Sequence, residues 1–271
     1  MPTALAVGAL IAGGLVYAVG QRNVGDKDNA RAVVTTDAGP TAAADVSPAA
    51  VARPRSVGTP INGTLVNARP LPTSGRGFEV LTAHRGRGLG YGTAELVDLV
   101  AEIGAALAAK DRTLLVGNLS APEGGPIRHS RSHQSGRDVD LAFCYKDKAG
   151  EPQLPPDFVL LDNKAQAAHL GLALDAACTW EIVEAAMRFK PVSVQHVFVS
   201  AAVERRLIDH ARAAKAPKST IDAAMRLLSQ PRGTEGHDDH MHVRIACPPD
   251  SDECSDRTQF KGGNRFHEPT E

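Results

Sequence analysis

The sequence predicts an α+β fold: a small central antiparallel sheet flanked by helices, in a single domain behind an N-terminal segment and a linker. Three observations point there. Short runs with alternating or β-branched character, such as 192–199 and 240–246, read as strands. Longer runs with apolar residues three or four apart, such as 93–110, read as helices. The two kinds follow one another without the regular strand–helix–strand alternation of a parallel sheet. With 271 residues, 42% hydrophobic and 23% charged, the chain suits one packed domain with extensions, or two small domains.

Residues 1–22 read as a signal peptide or membrane anchor. No charge interrupts 3–19, and Gln21 and Arg22 follow. The apolar run is longer than most export segments and slightly short for a spanning helix, and no basic region precedes it. Residues 23–56 are rich in Ala, Asp, Thr, Pro and Val, lack aromatics, and show neither helical nor strand period, so they read as a flexible linker. The globular domain is then 57–271. A tether behind an export segment puts that domain outside the cytoplasmic membrane, where disulfides form. The four cysteines, Cys144, Cys178, Cys247 and Cys254, suit two disulfides, with three pairings open. None shows the Cys-x-x-Cys spacing of a zinc knuckle. With 30 basic and 31 acidic residues, no global field draws the chain to nucleic acid or to an anionic membrane.

Within the domain, Gly58-Thr59-Pro60-Ile61-Asn62-Gly63 opens with turn residues. A short strand is expected at 77–81 and a glycine-rich loop at 86–92. Thr93 caps a helix to about 110, with Leu96, Val97, Val100, Ile103 and Leu107 on its buried face. A strand at 113–118 and a loop at 121–126 precede a strand at 137–144. Alternation there sets Asp138, Asp140 and Ala142 against Val139, Leu141 and Phe143. Helices follow at 179–188, 201–214 and 219–229, with the 192–199 strand after the first of them. Ser219 and Asp222 stand in capping-box spacing, and Pro231 and Gly233 stop the last helix. The last strand is 240–246.

The chemistry concentrates in two runs. One is Ser132-His133-Gln134-Ser135-Gly136-Arg137-Asp138-Val139-Asp140; the other is His237-Asp238-Asp239-His240-Met241-His242. Five of the chain's ten histidines (His129, His133, His237, His240, His242) lie in or beside them, which favours a metal site over scattered structural histidines. On a strand, His240, His242 and Arg244 share one face while Met241, Val243 and Ile245 face the core. His133 sits across a Gly136 turn and can swing back toward Asp140. Catalytic zinc keeps three protein ligands and an open position, and two histidines with one aspartate fit that count. A remaining histidine on the cleft face can move protons or stabilise charge. No His-Glu-x-x-His helix is present, which excludes a zincin.

His133-x2-Gly136-x-Asp138-x-Asp140 with a later His240-x-His242 resembles the signature of the LAS metallopeptidases. That group takes in lysostaphin-type enzymes, D-alanyl-D-alanine peptidases and Hedgehog domains. The two full runs, with Gly58-Thr59-Pro60, Leu71-Pro72, Val116-Gly117-Asn118 and Gly124-Gly125, are similar to one branch, the penicillin-insensitive murein endopeptidases. The resemblance covers about 57–255.

It implies an LAS-type catalytic domain in which His133, Asp140 and His242 bind one zinc ion. His240 is then the catalytic histidine and His237 its support. Asp138, where simpler members carry alanine, becomes an orienting residue. Some members carry a histidine three residues before the first ligand. Ser130 stands there in this chain, with His129 one step earlier, so no fourth ligand or second metal is carried over. Cys247 and Cys254 sit where the branch has a disulfide, which leaves Cys144 to Cys178 behind the Asp140 strand.

The implied activity is hydrolysis of the D-alanyl-meso-diaminopimelyl cross-link of peptidoglycan in the periplasm. Alternatives are a D,D-carboxypeptidase or dipeptidase of the same group, separated by loops such as 145–165, and a non-catalytic zinc-stabilised binding domain. Asp238 and Asp239 read as solvated loop charges. Arg244 reads as a contact for a substrate carboxylate, or as an exposed or a sheet-pairing arginine. His169, His196 and His210 read as surface or packing residues.

Overall fold

The computed structural model describes residues 52–128, 130–230 and 236–257. The segment 1–22, the linker as far as 51, His129, Pro231 and Gly233 lie outside the described residues.

Strands β1 (Arg55–Thr59) and β2 (Asn62–Val66) form a hairpin in which Thr59 faces Asn62 across Pro60-Ile61. β1 starts inside the stretch read as linker, and Ser56 is already buried there, its amide N–H donating to Ser251 Oγ at 3.0 Å.

The main sheet has seven strands. In chain order they are β3 (Ser74–Gly75), β4 (Phe78–Val80), β5 (Leu114–Val116), β6 (Asp138–Ala142), β7 (Val194–Phe198), β8 (Leu228–Ser229) and β9 (His240–Ile245). Their spatial order is β8-β7-β9-β6-β5-β4-β3, with the two motif strands adjacent near the centre.

The expected small antiparallel sheet is corrected to a mixed one: β4 runs parallel to β5, and β7 parallel to β8. The reason lies in the connections. Helix α1 (Ala94–Ala108) lies between β4 and β5, and α3 (Ala201–Ala213) and α4 (Lys218–Leu227) lie between β7 and β8. A crossover of that length returns the chain to start the next strand in the same direction. Strands of two or three residues carry no periodicity that could reveal this. The stretch read as a 145–165 loop also contributes to a second, four-stranded sheet made of Pro152–Gln153, Tyr145–Lys146, Leu172–Leu174 and Gln166–Ala167.

Thr93 caps α1 as read, accepting from the Leu96 N–H at 3.3 Å, and Leu96, Val97, Val100, Ile103 and Leu107 are buried. Helix α2 (Ala176–Arg188) starts three residues before the expected Thr179, because the Asp175 side chain caps it and ion-pairs with Arg112. α4 has Pro217 at its N-cap, whose fixed φ presets the first turn, so Ser219 and Asp222 form no capping box. Asp222 pairs instead with Lys218 at 2.5 Å. The helical residues join Val139, Leu141, Met241, Val243 and Ile245 in one core. No helix among the described residues is long and apolar enough to cross a membrane.

The disulfides are Cys144–Cys178 and Cys247–Cys254. The first ties the chain just beyond β6 to the first turn of α2. Arg137, fully buried, anchors the loop of the second: its Nη1 and Nη2 donate to Asp256 Oδ1 (2.5 Å) and the Ser255 carbonyl (2.9 Å).

Candidate metal and catalytic site

The pairing of β6 with β9 assembles the site. His242 lies opposite Asp140, and Arg244 opposite Asp138, so two runs about a hundred residues apart become cross-strand neighbours. Alternation sends Met241, Val243 and Ile245 into the core and leaves His240, His242 and Arg244 on the other face. On the far side of β9, β7 sets Phe198 opposite His242.

His133 enters from the turn before β6. Its backbone is left-handed (φ 66°), a conformation that costs a non-glycine residue about 1–2 kcal/mol. The His133 amide donates to Asp138 Oδ2 at 3.3 Å, which holds the turn. Gly136 completes it at φ 74°; a Cβ there would lie 2.5 Å from Leu65 Cδ1. His133 Nε2 and His242 Nδ1 each lie 3.1 Å from Asp140 Oδ1. All three residues are buried, and their donor atoms lie within 4.8 Å of one another, so they could hold a metal ion.

The nitrogen that His242 presents is fixed from behind. Its Nε2 donates to Asp138 Oδ1 at 2.8 Å, and Arg244 Nε donates to the same oxygen at 2.6 Å. Nδ1 is thereby left as the lone-pair nitrogen toward Asp140. Arg244 is buried on Asp138, its partner across the sheet, and against Phe198, so the sheet-pairing reading holds and the exposed and substrate-facing ones are corrected.

His240 is set differently. Nε2 is 3.4 Å from Asp140 Oδ1, and Nδ1 is 2.6 Å from Asp239 Oδ1. The Phe158 ring stacks on the imidazole at 4.8 Å. Asp239, read as a solvated charge, is therefore the partner of His240. Asp239 precedes the strand in a bend, where strand alternation does not set the side-chain direction. The Asp238 carbonyl accepts from the Leu161 N–H at 2.8 Å.

His237 approaches from the chain before β9. Its carbonyl accepts from the Ser200 N–H at 2.7 Å, and its ring lies 5.5 Å from that of His240 and 5.7 Å from that of His242. His237, His240 and His242 form a second group with donor atoms close enough for a metal ion, but it contains no anion. Among the described residues, only the group with Asp140 is buried throughout and contributes a carboxylate. The Ser130 hydroxyl reaches Ser132 Oγ at 3.5 Å. Phe158, His84 and Tyr145, which border the site, carried no signal in the sequence.

The charges are strongly coupled. Burial opposes ionisation of Asp138, yet Arg244 and His242 hold it far below the usual carboxylate range. Burial likewise opposes a charged Asp140, and His133 and His240 overcome it. Burial lowers the His133 pKa, but Asp140 outweighs it and the net shift is upward. His240 is pushed up to about 10: burial works against its charge, while Asp140 and Asp239 favour it. His237 moves to about 4, because burial and the His242 and His240 rings disfavour its charged form. A compact set of N, O and N donors thus sits beside one histidine poised to hold a proton and one poised to remain neutral.

The family model described as penicillin-insensitive murein endopeptidase matches residues 56–269. Curated proteins named penicillin-insensitive murein endopeptidase are similar over about three quarters of the chain. The Haemophilus influenzae protein is 27% identical over 213 residues, covering 77% of this chain and 69% of its own. The protein from Yersinia pestis bv. Antiqua is 28% identical, covering 75% and 70%. That of Pectobacterium atrosepticum is 29% identical, covering 76% and 69%.

Proposed function

We propose a function on one premise: the chain belongs to the family of penicillin-insensitive murein endopeptidases. We infer that it is a zinc peptidase that hydrolyses the D-alanyl-meso-diaminopimelyl amide of cross-linked peptidoglycan. The observation that carries the reading is the convergence of His133 Nε2 and His242 Nδ1 on Asp140 Oδ1, each at 3.1 Å. Two imidazole nitrogens and one carboxylate oxygen, all buried, fit zinc with a position left open. Bound there, zinc polarises a carbonyl and brings the pKa of water to about 7.

The protein side of the reaction falls to His240. With Nδ1 held by Asp239, Nε2 is the nitrogen offered to substrate. Carrying the proton that Asp140 and Asp239 favour, it stabilises the oxyanion and gives that proton to the leaving amine, and the proton released by the attacking water restores it. His237, neutral and wedged against the His240 and His242 rings, limits their movement. No thiol nucleophile competes, because all four cysteines are in disulfides. Penicillin then has no nucleophile of this mechanism to acylate. Two disulfides suit an exported, periplasmic protein, with 1–22 as signal peptide or anchor.

The test is to incubate the purified protein with dimeric muropeptides and to analyse the products by mass spectrometry. Monomers are expected. Intact dimers with zinc bound would sink the proposal. Trimming of uncrosslinked stems alone would replace it with the carboxypeptidase reading.

A further inference from the structure

Phe158 has no part in the hydrolysis just described, yet its ring lies on that of His240, with centroids 4.8 Å and planes 22° apart. The segment 157–161 that carries it is fastened on both sides of the ring. His84, a buried side chain, meets the Phe158 ring edge-on at 4.7 Å. Its Nε2 lies 3.0 Å from Asp157 Oδ1 and its Nδ1 3.0 Å from Asn118 Oδ1. Asp157 Oδ1 also accepts the Phe158 amide N–H at 2.8 Å.

On the other side, the Val159 N–H donates to the Tyr145 hydroxyl at 3.2 Å, which itself donates to the Asp239 carbonyl at 3.2 Å. The Leu161 N–H donates to the Asp238 carbonyl at 2.8 Å. The loop is thus joined to the two residues just before His240, one of which is the partner of its Nδ1.

The space the ring occupies exists because residue 117 is glycine. A Cβ on Gly117 would lie 2.3 Å from Phe158 Cζ. Unlike the contacts of His240 with Asp239 and His237, which come from the chain just before its own strand, this one comes from a separate loop with its own anchors.

We propose that Phe158 is a positioning residue for His240: its face, seated by His84 and by the missing side chain of Gly117, fixes the rotation of the imidazole about its hydrogen bond to Asp239. A histidine held only at Nδ1 can still swing its Nε2 off line. A flat ring against its face removes that freedom, and misplacement of a reacting group is expensive in rate. The proposal rests on the reading of His240 as the acid–base group of a muropeptide hydrolase, and its test separates the two.

Three variants are compared with wild type for zinc content, kcat and KM on a dimeric muropeptide, and the His240 ring-proton NMR signals. They are Phe158→Leu, which keeps bulk but loses the flat ring, Gly117→Ala, and the two combined. Each single variant is expected to lower kcat about tenfold or more with KM and zinc content little changed. The His240 signals should move in both. Because Gly117→Ala acts by displacing Phe158, the double variant should lose no more than Phe158→Leu alone. Unchanged kcat with unmoved His240 signals overturns the proposal; so does a loss carried by KM, or multiplied losses in the double variant. If wild type releases no monomers, the hydrolase reading fails. The ring signals then decide alone: unmoved signals overturn the positioning role and shifted ones sustain it.

Discussion

His240 and His242 stand two residues apart on one face of one strand, yet they are held by different parts of the molecule. His242 has a side chain 5% exposed, and its two nitrogens meet Asp140 and Asp138 across the β6–β9 ladder. His240 is 19% exposed; beyond Asp140 at 3.4 Å, its partners come from the bend before the strand and from the 157–161 segment. The donor end of the site is built on rigid sheet, the reacting end on loops. Sheet pairing fixes a ligand constellation tightly. Loops can reset the proton-handling group without disturbing it.

The largest effect should separate the two histidines. His242→Ala is expected to lose both zinc and turnover, while His240→Ala should lower turnover about 10²–10⁴-fold and leave zinc bound. Metal analysis beside muropeptide digestion checks this, and equal loss of metal from both variants would erase the contrast. Next comes the carboxylate behind His242. Asp138→Asn keeps the shape beside Arg244 but weakens the acceptor that fixes the tautomer, so zinc affinity should fall about 10–100-fold. Competition with a chelator measures it. Asp239→Asn should leave zinc affinity alone and lower kcat by about tenfold, the smaller end of the range for such partners, since this carboxylate is partly exposed.

The smallest effect concerns pH. The folded-state pKa of His240, about 10, lies above its ordinary 6.5. A raised histidine stabilises the fold fully below the unfolded value and loses that contribution as pH rises through the folded one. The metal-free protein should therefore weaken between about pH 6.5 and 10, as read by denaturant midpoints. Zinc also competes with protons for His133, whose pKa is raised by Asp140, so zinc affinity should rise with pH. His240→Ala should flatten the metal-free trend, and a trend unchanged by that substitution would assign it to another group.

Much of this was legible before folding. The central strands were legible because β6 and β9 bury one face and carry donors on the other, so a two-residue period marks them. The Gly136 turn was legible because the step from His133 back toward Asp140 needs a residue free of side-chain clash. Asp239 was misread because its pairing with His240 arises in a bend that no period describes. Arg244 stayed open between substrate-facing, exposed and sheet-pairing roles because an arginine on a polar strand face can point to solvent or to a buried carboxylate, and only Asp138 directly opposite decides. Phe158, His84 and Tyr145 lie 79 residues or more from the second run, in stretches with little pattern of their own.

By itself the sequence determined which donors exist, which of them share a strand face, and the chain's likeness to a family. The tertiary structure alone decided which nitrogen of His242 faces Asp140, that Asp239 and Phe158 close on His240, and that two strand pairs run parallel. The physical reason is range. Side-chain alternation and turn chemistry are local properties of the backbone. Strand register, crossover direction and loop closure are fixed by contacts between residues that only the folded chain brings together.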